Sequence, residues 1–158
     1  MKNSEALEMQ GRLWLELSDA SGRVVERRDT PNHIVLSGRD LVARMFTLGG
    51  LKPISHLAVG KGEQAVTPED IRLADEIERV PIRPIQMERD LVDVSTPDGK
   101  DKRKKVVVSA KLGFAQANTR LTEAALFNQD NIMYNRVVFA PAEKTQDFTL
   151  TLVWEITF

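Results

Sequence analysis

Two histidines, His33 and His56, are where metal chemistry or imidazole acid–base chemistry would have to start. They are far apart in the chain, and neither sits in a His-x-x-x-His pair that would set two ligands on one helix face. They read as one loop histidine and one at a strand entry, with no metal site. The run Val59-Gly60-Lys61-Gly62 has the look of a phosphate loop. A nucleotide cradle, however, needs a longer glycine spacing, a hydroxyl directly after the lysine and a helix starting there. Glycine follows Lys61 instead, so Gly60 and Gly62 read as turn freedom after a strand His56–Val59, without a cofactor. Ser37 and Ser109 both lack the Gly-x-Ser-x-Gly frame of a nucleophile elbow, and Ser37 is expected to cap a helix. Carboxylates are plentiful, but none is paired in an apolar setting that would raise a pKa. Glu123, within the apolar stretch Leu121–Phe127, is the exception; burial would oblige it to find a partner such as an arginine, in a structural ion pair. The basic run Lys100–Lys105 could meet phosphate, yet it has no aromatic platform or recognition helix beside it. A solvated or subunit-contacting tip that also guards a sheet edge is the expectation. These residues leave the catalytic, cofactor and metal sites all empty.

Whatever these residues do, 158 of them form the size of one domain, long enough to bury roughly 70% of the surface an unfolded chain exposes. The apolar share is 42% and the charged share 28%, which excludes a disordered chain. Lysine plus arginine number 22 against 23 acidic residues, so no net field favours nucleic acid or an anionic membrane. Zero cysteines remove disulfide scaffolds, thiolate metal sites and a cysteine nucleophile, and fit a reducing compartment. The polar start Met1–Gln10, with Glu5 and Glu8, does not read as a secretory signal. The apolar runs are too short for a membrane-spanning helix.

The elements that must position these residues are mostly strands. Phe148, Leu150, Leu152, Trp154, Ile156 and Phe158 alternate with more polar residues, the pattern of a strand with one buried face. Truncation there should be destructive, and losing the Trp154 ring should cost about 3–5 kcal/mol. Ile132–Phe139 reads as a strand joined to this last one as an antiparallel hairpin through a loop, 140–147. Val106–Phe114 alternates as well. Arg79–Val92, broken by Pro81 and Pro84, suggests an edge before a strand near Ile85–Val92, and Pro97-Asp98-Gly99 marks a hairpin tip. At the front, Arg12–Ser18 and Val24–Glu26 flank an Asp19–Gly22 turn. Two helices are expected. One is capped by Ser37, carries Leu41, Val42, Met45, Phe46 and Leu48 on one face and stops at Gly49-Gly50. The other begins at Thr67-Pro68 and buries Ile71, Ala74 and Ile77. The fold class is therefore mainly β (α+β), an antiparallel β-sandwich or rolled sheet with one or two short packing helices. The chain reads as a single domain, 1–158, with 1–31 forming an N-terminal hairpin that serves as a possible contact arm.

Several segments resemble a module of tailed-phage tail and collar-fibre proteins, also used in phage-like contractile injection systems. They are His33–Ala43, Ile54–Gly62, Leu73–Ile82, Thr122–Asn128, Met133–Phe139 with Lys144, and Leu150–Phe158. The likeness spans about 32–158 and rests on fold signatures. It implies a non-enzymatic structural or adaptor subunit of a tail, baseplate, collar or cap, assembled in the bacterial cytoplasm into a virion or phage-like particle. The implied partners are other particle proteins and further copies in a homo-oligomer, with no nucleic acid, small-molecule substrate or cofactor. Fibre modules commonly continue into a shaft and a receptor tip, so a chain ending at Phe158 is expected to be an attachment subunit. Trp14 and Met87 are the expected exposed anchors. Two other readings stay open: a carbohydrate- or ligand-binding β module, which would group exposed aromatics on one sheet face, and a small hydrolase using scattered carboxylates or the two histidines.

Overall fold

The computed structural model describes residues 9–47 and 49–158. Ten strands and two short helices follow in the order β1 (Gln10–Ser18), β2 (Val24–Pro31), β3 (His33–Ile34), α1 (Leu36–Arg44), β4 (Ile54–Gly60), β5 (Glu76–Pro81), α2 (Met87–Asp90), β6 (Leu91–Ser95), β7 (Lys102–Leu112), β8 (Arg120–Asn128), β9 (Met133–Glu143) and β10 (Thr149–Thr157). They form two five-stranded antiparallel sheets, ordered β2-β1-β10-β7-β6 and β3-β9-β8-β4-β5. The alternation in β1, β7 and β10 places Leu13, Leu15, Leu17, Val108, Leu152 and Trp154 on the inner face of the first sheet. They meet Leu57, Val59, Leu121, Leu126 and Phe139 from the second, so the architecture is a sandwich around one core and not a rolled sheet. Trp154 is fully buried, as its pattern required. A smaller cluster, Ala58, Leu73, Ala125, Phe127 and Met133, lies apart from that core.

The first hairpin forms as expected, with the Asp19 carboxylate accepting from the Ser21 and Arg23 amides and Gly22 at φ 82°. Strand β1 is not an appendage: it lies between β2 and β10, in register from Gln10↔Thr157 to Ser18↔Thr149. The tip at 96–101 also forms.

Other expectations are corrected. Strands β9 and β10 are not a hairpin: β9 pairs with β8 and β3, whereas β10 pairs with β1 and β7, so the connection between them crosses from one sheet to the other. Strand β9 also runs on through Pro141, which is tolerated because it lies where the β8–β9 register shifts between Leu121 and Glu123. The helix expected at Thr67 is a single turn inside an irregular segment, 61–75. Thr67 and Asp70 do bond to each other, Thr67 N and Oγ1 donating to the carboxylate at 3.0 and 2.8 Å and the Asp70 amide donating to the Thr67 carbonyl at 3.2 Å. The helix does not propagate because the Ala74 and Asp75 amides donate to Glu123 instead of to carbonyls one turn back, leaving Ile71 and Ile77 exposed. The strand expected at Ile85–Val92 is the single turn α2 followed by β6. Phe114 lies beyond the end of β7 and is exposed.

Helix α1 begins at Leu36 with Val35 at the cap position, and Ser37 does not cap it; its hydroxyl donates to the Met133 carbonyl at 2.6 Å, tying the helix to β9. Gly38 completes that contact, since a Cβ there would collide with the Tyr134 carbonyl. The helix ends at Arg44, short of Gly49-Gly50, and Met45 and Phe46 are exposed instead of packed. The expectation for Leu48 and the reading of Met1–Glu8 fall outside the described residues. No helix among the described residues is long and apolar enough to cross a membrane.

Candidate functional site

The two histidines stay apart. His33 is exposed on β3 and His56 lies on β4, three strands away in the same sheet, a separation of roughly 14 Å at ordinary strand spacing. His56 Nδ1 shares a hydrogen bond with Ser55 Oγ at 2.8 Å. Among the described residues, no group of three or more histidines and carboxylates is arranged to hold a metal ion. Ser109 is on β7, its carbonyl accepting from the Arg83 amide at 2.7 Å. The basic run is corrected too: Lys102–Lys105 belong to β7 and only Lys100 and Asp101 lie in the tip. Lys104 pairs with Asp93, and Lys105 with Glu155 at 3.5 Å.

Glu123 is the residue whose expected chemistry is found. It is fully buried on β8 and meets Arg136 of β9, itself 2% exposed. Arg136 Nε donates to Glu123 Oε2 at 2.9 Å, and its terminal nitrogens reach Asp70 Oδ2 at 2.9 Å and the Gln64 carbonyl at 3.1 Å. Glu123 also accepts from the amides of Gly62, Ala74 and Asp75 at 2.9, 3.0 and 2.7 Å. Two charges out of water are tolerable only when their remaining valences are filled, and here backbone groups of 61–75 fill them. Burial acts to raise the Asp70 pKa, but hydrogen bonds from Thr67 and Arg136 outweigh it and hold the carboxyl below its ordinary range.

Gly60 and Gly62, expected as turn residues, belong to this cluster. Neither has a positive φ. A Cβ on Gly60 would strike the Asp75 carbonyl and come within 2.6 Å of Glu123 Oε1, while one on Gly62 would strike Ala74. They are glycine because backbone and carboxylate approach so closely. The partner's identity was foreseeable only in type: Arg136 is the one cation inside the apolar run Met133–Phe139.

Two further buried charges had no signal in the sequence. Asp90, 2% exposed at the end of α2, accepts from Arg89 Nε at 2.9 Å, the Gln86 amide at 2.8 Å and Arg83 at 2.8 Å. The Arg89 hydrogen bond, then the Gln86 amide, hold its carboxyl far below the usual range. Lys144, 1% exposed, donates to Asn118 Oδ1 at 2.7 Å and the Thr145 carbonyl at 3.0 Å, with no carboxylate partner among the described residues; burial lowers its pKa.

The remaining feature is apolar. At one end of the sandwich a cleft of about 360 Å³ opens between α1, β7 and the chain end, lined by Val42, Met45, Ile54, Ile85, Tyr134 and Phe158 among others. Burial against these side chains pushes the Tyr134 hydroxyl up to about 12, so it stays a neutral part of the wall. Met45 is 70% exposed and Phe46, next in the chain, 89%. Of the two expected anchors, Met87 is exposed, whereas Trp14 lies half-buried beneath two guanidinium groups, Arg27 at 4.3 Å and Arg12 at 4.7 Å from its ring centroid.

Comparison of the chain with family models, with curated proteins and with solved structures gives no match.

Proposed function

We propose that this chain is a structural or adaptor subunit of a phage tail, baseplate, collar or phage-like contractile injection particle, working through contacts with neighbouring particle proteins and without catalysis. One observation carries the reading: the buried charged groups are each used to hold a connection in place, while the exposed Met45, Ile85 and Phe158 line one open apolar cleft. Glu123, Arg136 and Lys144 all fall within the segments that resemble the tail module, and each is occupied by internal bonds. A side chain fixed by several internal partners contributes rigidity, and a rigid body with an unfilled apolar cleft is suited to burying surface against another subunit.

The test is made in the genome that encodes the chain. Deleting its reading frame should abolish complete particles or leave them truncated in electron micrographs, and an epitope-tagged copy should co-purify with particles at fixed stoichiometry. Normal particles from the deletion strain, lacking the chain, would overturn the reading.

A further inference from the structure

Resting on the assembly reading above, we propose that two copies of this chain pair through the open cleft, the Phe46 ring of each seated in the cleft of the other. A two-fold interface must be self-complementary, so projection and recess have to lie on the same patch. Met45 lines the cleft and Phe46, the next residue, is 89% exposed, so recess and projection stand one residue apart in the chain.

The area suffices for a partner of this kind. With a fully buried aromatic worth about 150–250 Å², the exposed parts of Phe46 and Phe158 supply roughly 250 Å² per copy. Met45 and Ile85, 70% and 39% exposed, bring this to roughly 450 Å², or about 900 Å² for two copies before any rim contact. Specific interfaces begin near 1,000–1,200 Å², which a modest polar rim would complete.

Charge favours a second copy over a strongly charged partner. A two-fold contact brings like residues together, so an uncompensated rim would repel itself. The flank of α1 is neutralised within the chain by Asp40–Arg44 at 2.7 Å and Lys104 near the chain end is paired with Asp93, while Lys52 is the cation of the cleft wall itself. The free edge of β2 is a poorer place for self-pairing: Glu26, Arg27, Arg28 and Asp29 crowd it, and Arg28 is tied to the Ala140 and Pro141 carbonyls at 2.7 and 2.8 Å.

Sedimentation equilibrium and light scattering on the full chain should give twice the monomer mass. Phe46→Glu should weaken association about thirtyfold or more, as loss of a central aromatic anchor does, with an unchanged circular dichroism spectrum because the ring contributes little to the fold. The chain has no cysteine, so Phe46→Cys and Ile85→Cys proteins, mixed and oxidised, should form a 46–85 disulfide between chains. A wild-type monomer, a dimer indifferent to Phe46→Glu, or a ring larger than a dimer would each overturn the pairing. Monomeric protein that still enters particles would overturn the pairing alone. A dimer found in no particle would uphold it against the assembly reading.

Discussion

Replacing Arg136 with methionine removes a cation that is 2% exposed while keeping most of its length, so the loss is electrostatic more than steric. The guanidinium meets two Glu123 contacts at 2.9 Å, Asp70 at 2.9 Å and the Gln64 carbonyl at 3.1 Å. Without it Glu123, fully buried, remains an anion supported only by the amides of Gly62, Ala74 and Asp75. Breaking a buried pair by deleting one partner costs about 3–5 kcal/mol, and those three donors put this case in the lower part of that range. For a chain of 158 residues this lowers the melting midpoint by roughly 6–16 °C. Urea unfolding followed by tryptophan fluorescence measures it directly. Glu123→Gln alone should also destabilise, because it leaves Arg136 under-compensated, and the double variant should lose less than the sum of the singles by at least about 1 kcal/mol. A loss below about 1 kcal/mol for Arg136→Met, or strict additivity in the cycle, would refute the claim that these charges act as one unit.

Lys144→Met should raise the melting midpoint at neutral pH. A cation whose folded pKa lies below its unfolded value costs stability under neutral conditions, and that cost fades as pH rises through the folded value toward roughly 10.4. The wild type should therefore gain stability relative to the variant as pH rises toward roughly 10.4; parallel profiles would contradict the assignment. Trp154→Ala should cost about 3–5 kcal/mol, but Trp154→Phe under about 1.5 kcal/mol, since the indole N–H is buried without an acceptor and its removal offsets part of the lost volume. Asp90→Asn should loosen the turn that carries Ile85 and weaken self-association several-fold in sedimentation, whereas Asp29→Asn on β2, at the opposite edge of the sheet from β6, should not; equal effects would dissociate the turn from the interface.

The legible parts of this fold are those where one sheet face is buried and the other wet. In β1, β7 and β10 the period of two follows directly from that asymmetry, and the inward Leu13, Val108 and Trp154 could be named from the pattern. Strand β8 is buried along nearly its whole length, so Thr122–Phe127 reads as an apolar run with a lone acid in it. That lone acid disclosed the ion pair by type, but not that Arg136 and Asp70 would complete it. The Thr67 cap misled for a related reason. Its local signal is real, yet Glu123, remote in sequence, competes for the amides of Ala74 and Asp75 and stops the helix after one turn. Strand partnership was equally remote: β9 and β10 are neighbours in the chain, but the inner faces of the two sheets decided which strand each would join.

The four buried charges have a common geometry. Glu123 with Arg136 holds segment 61–75 against the second sheet, Asp90 closes the turn 83–90, and Lys144 fastens 118–119 to the start of the crossing into β10. None of them is needed to specify a strand, because the apolar faces already do that. Replacing such groups by hydrocarbon would often leave a domain as stable or more so, which makes bulk stability a poor account of their presence. What they supply is a fixed conformation in connections that would otherwise sample many. A connection already held in its bound shape loses little entropy when it meets a partner, so the same interface area yields tighter association. On this argument the polar interior and the apolar cleft are parts of one device. Asp90 fixes the turn from which Ile85 lines the cleft, Ser37 and Gly38 lock α1 and hence the stem of Met45 and Phe46, and the side chains proposed to meet a second copy are presented by a frame set before any contact.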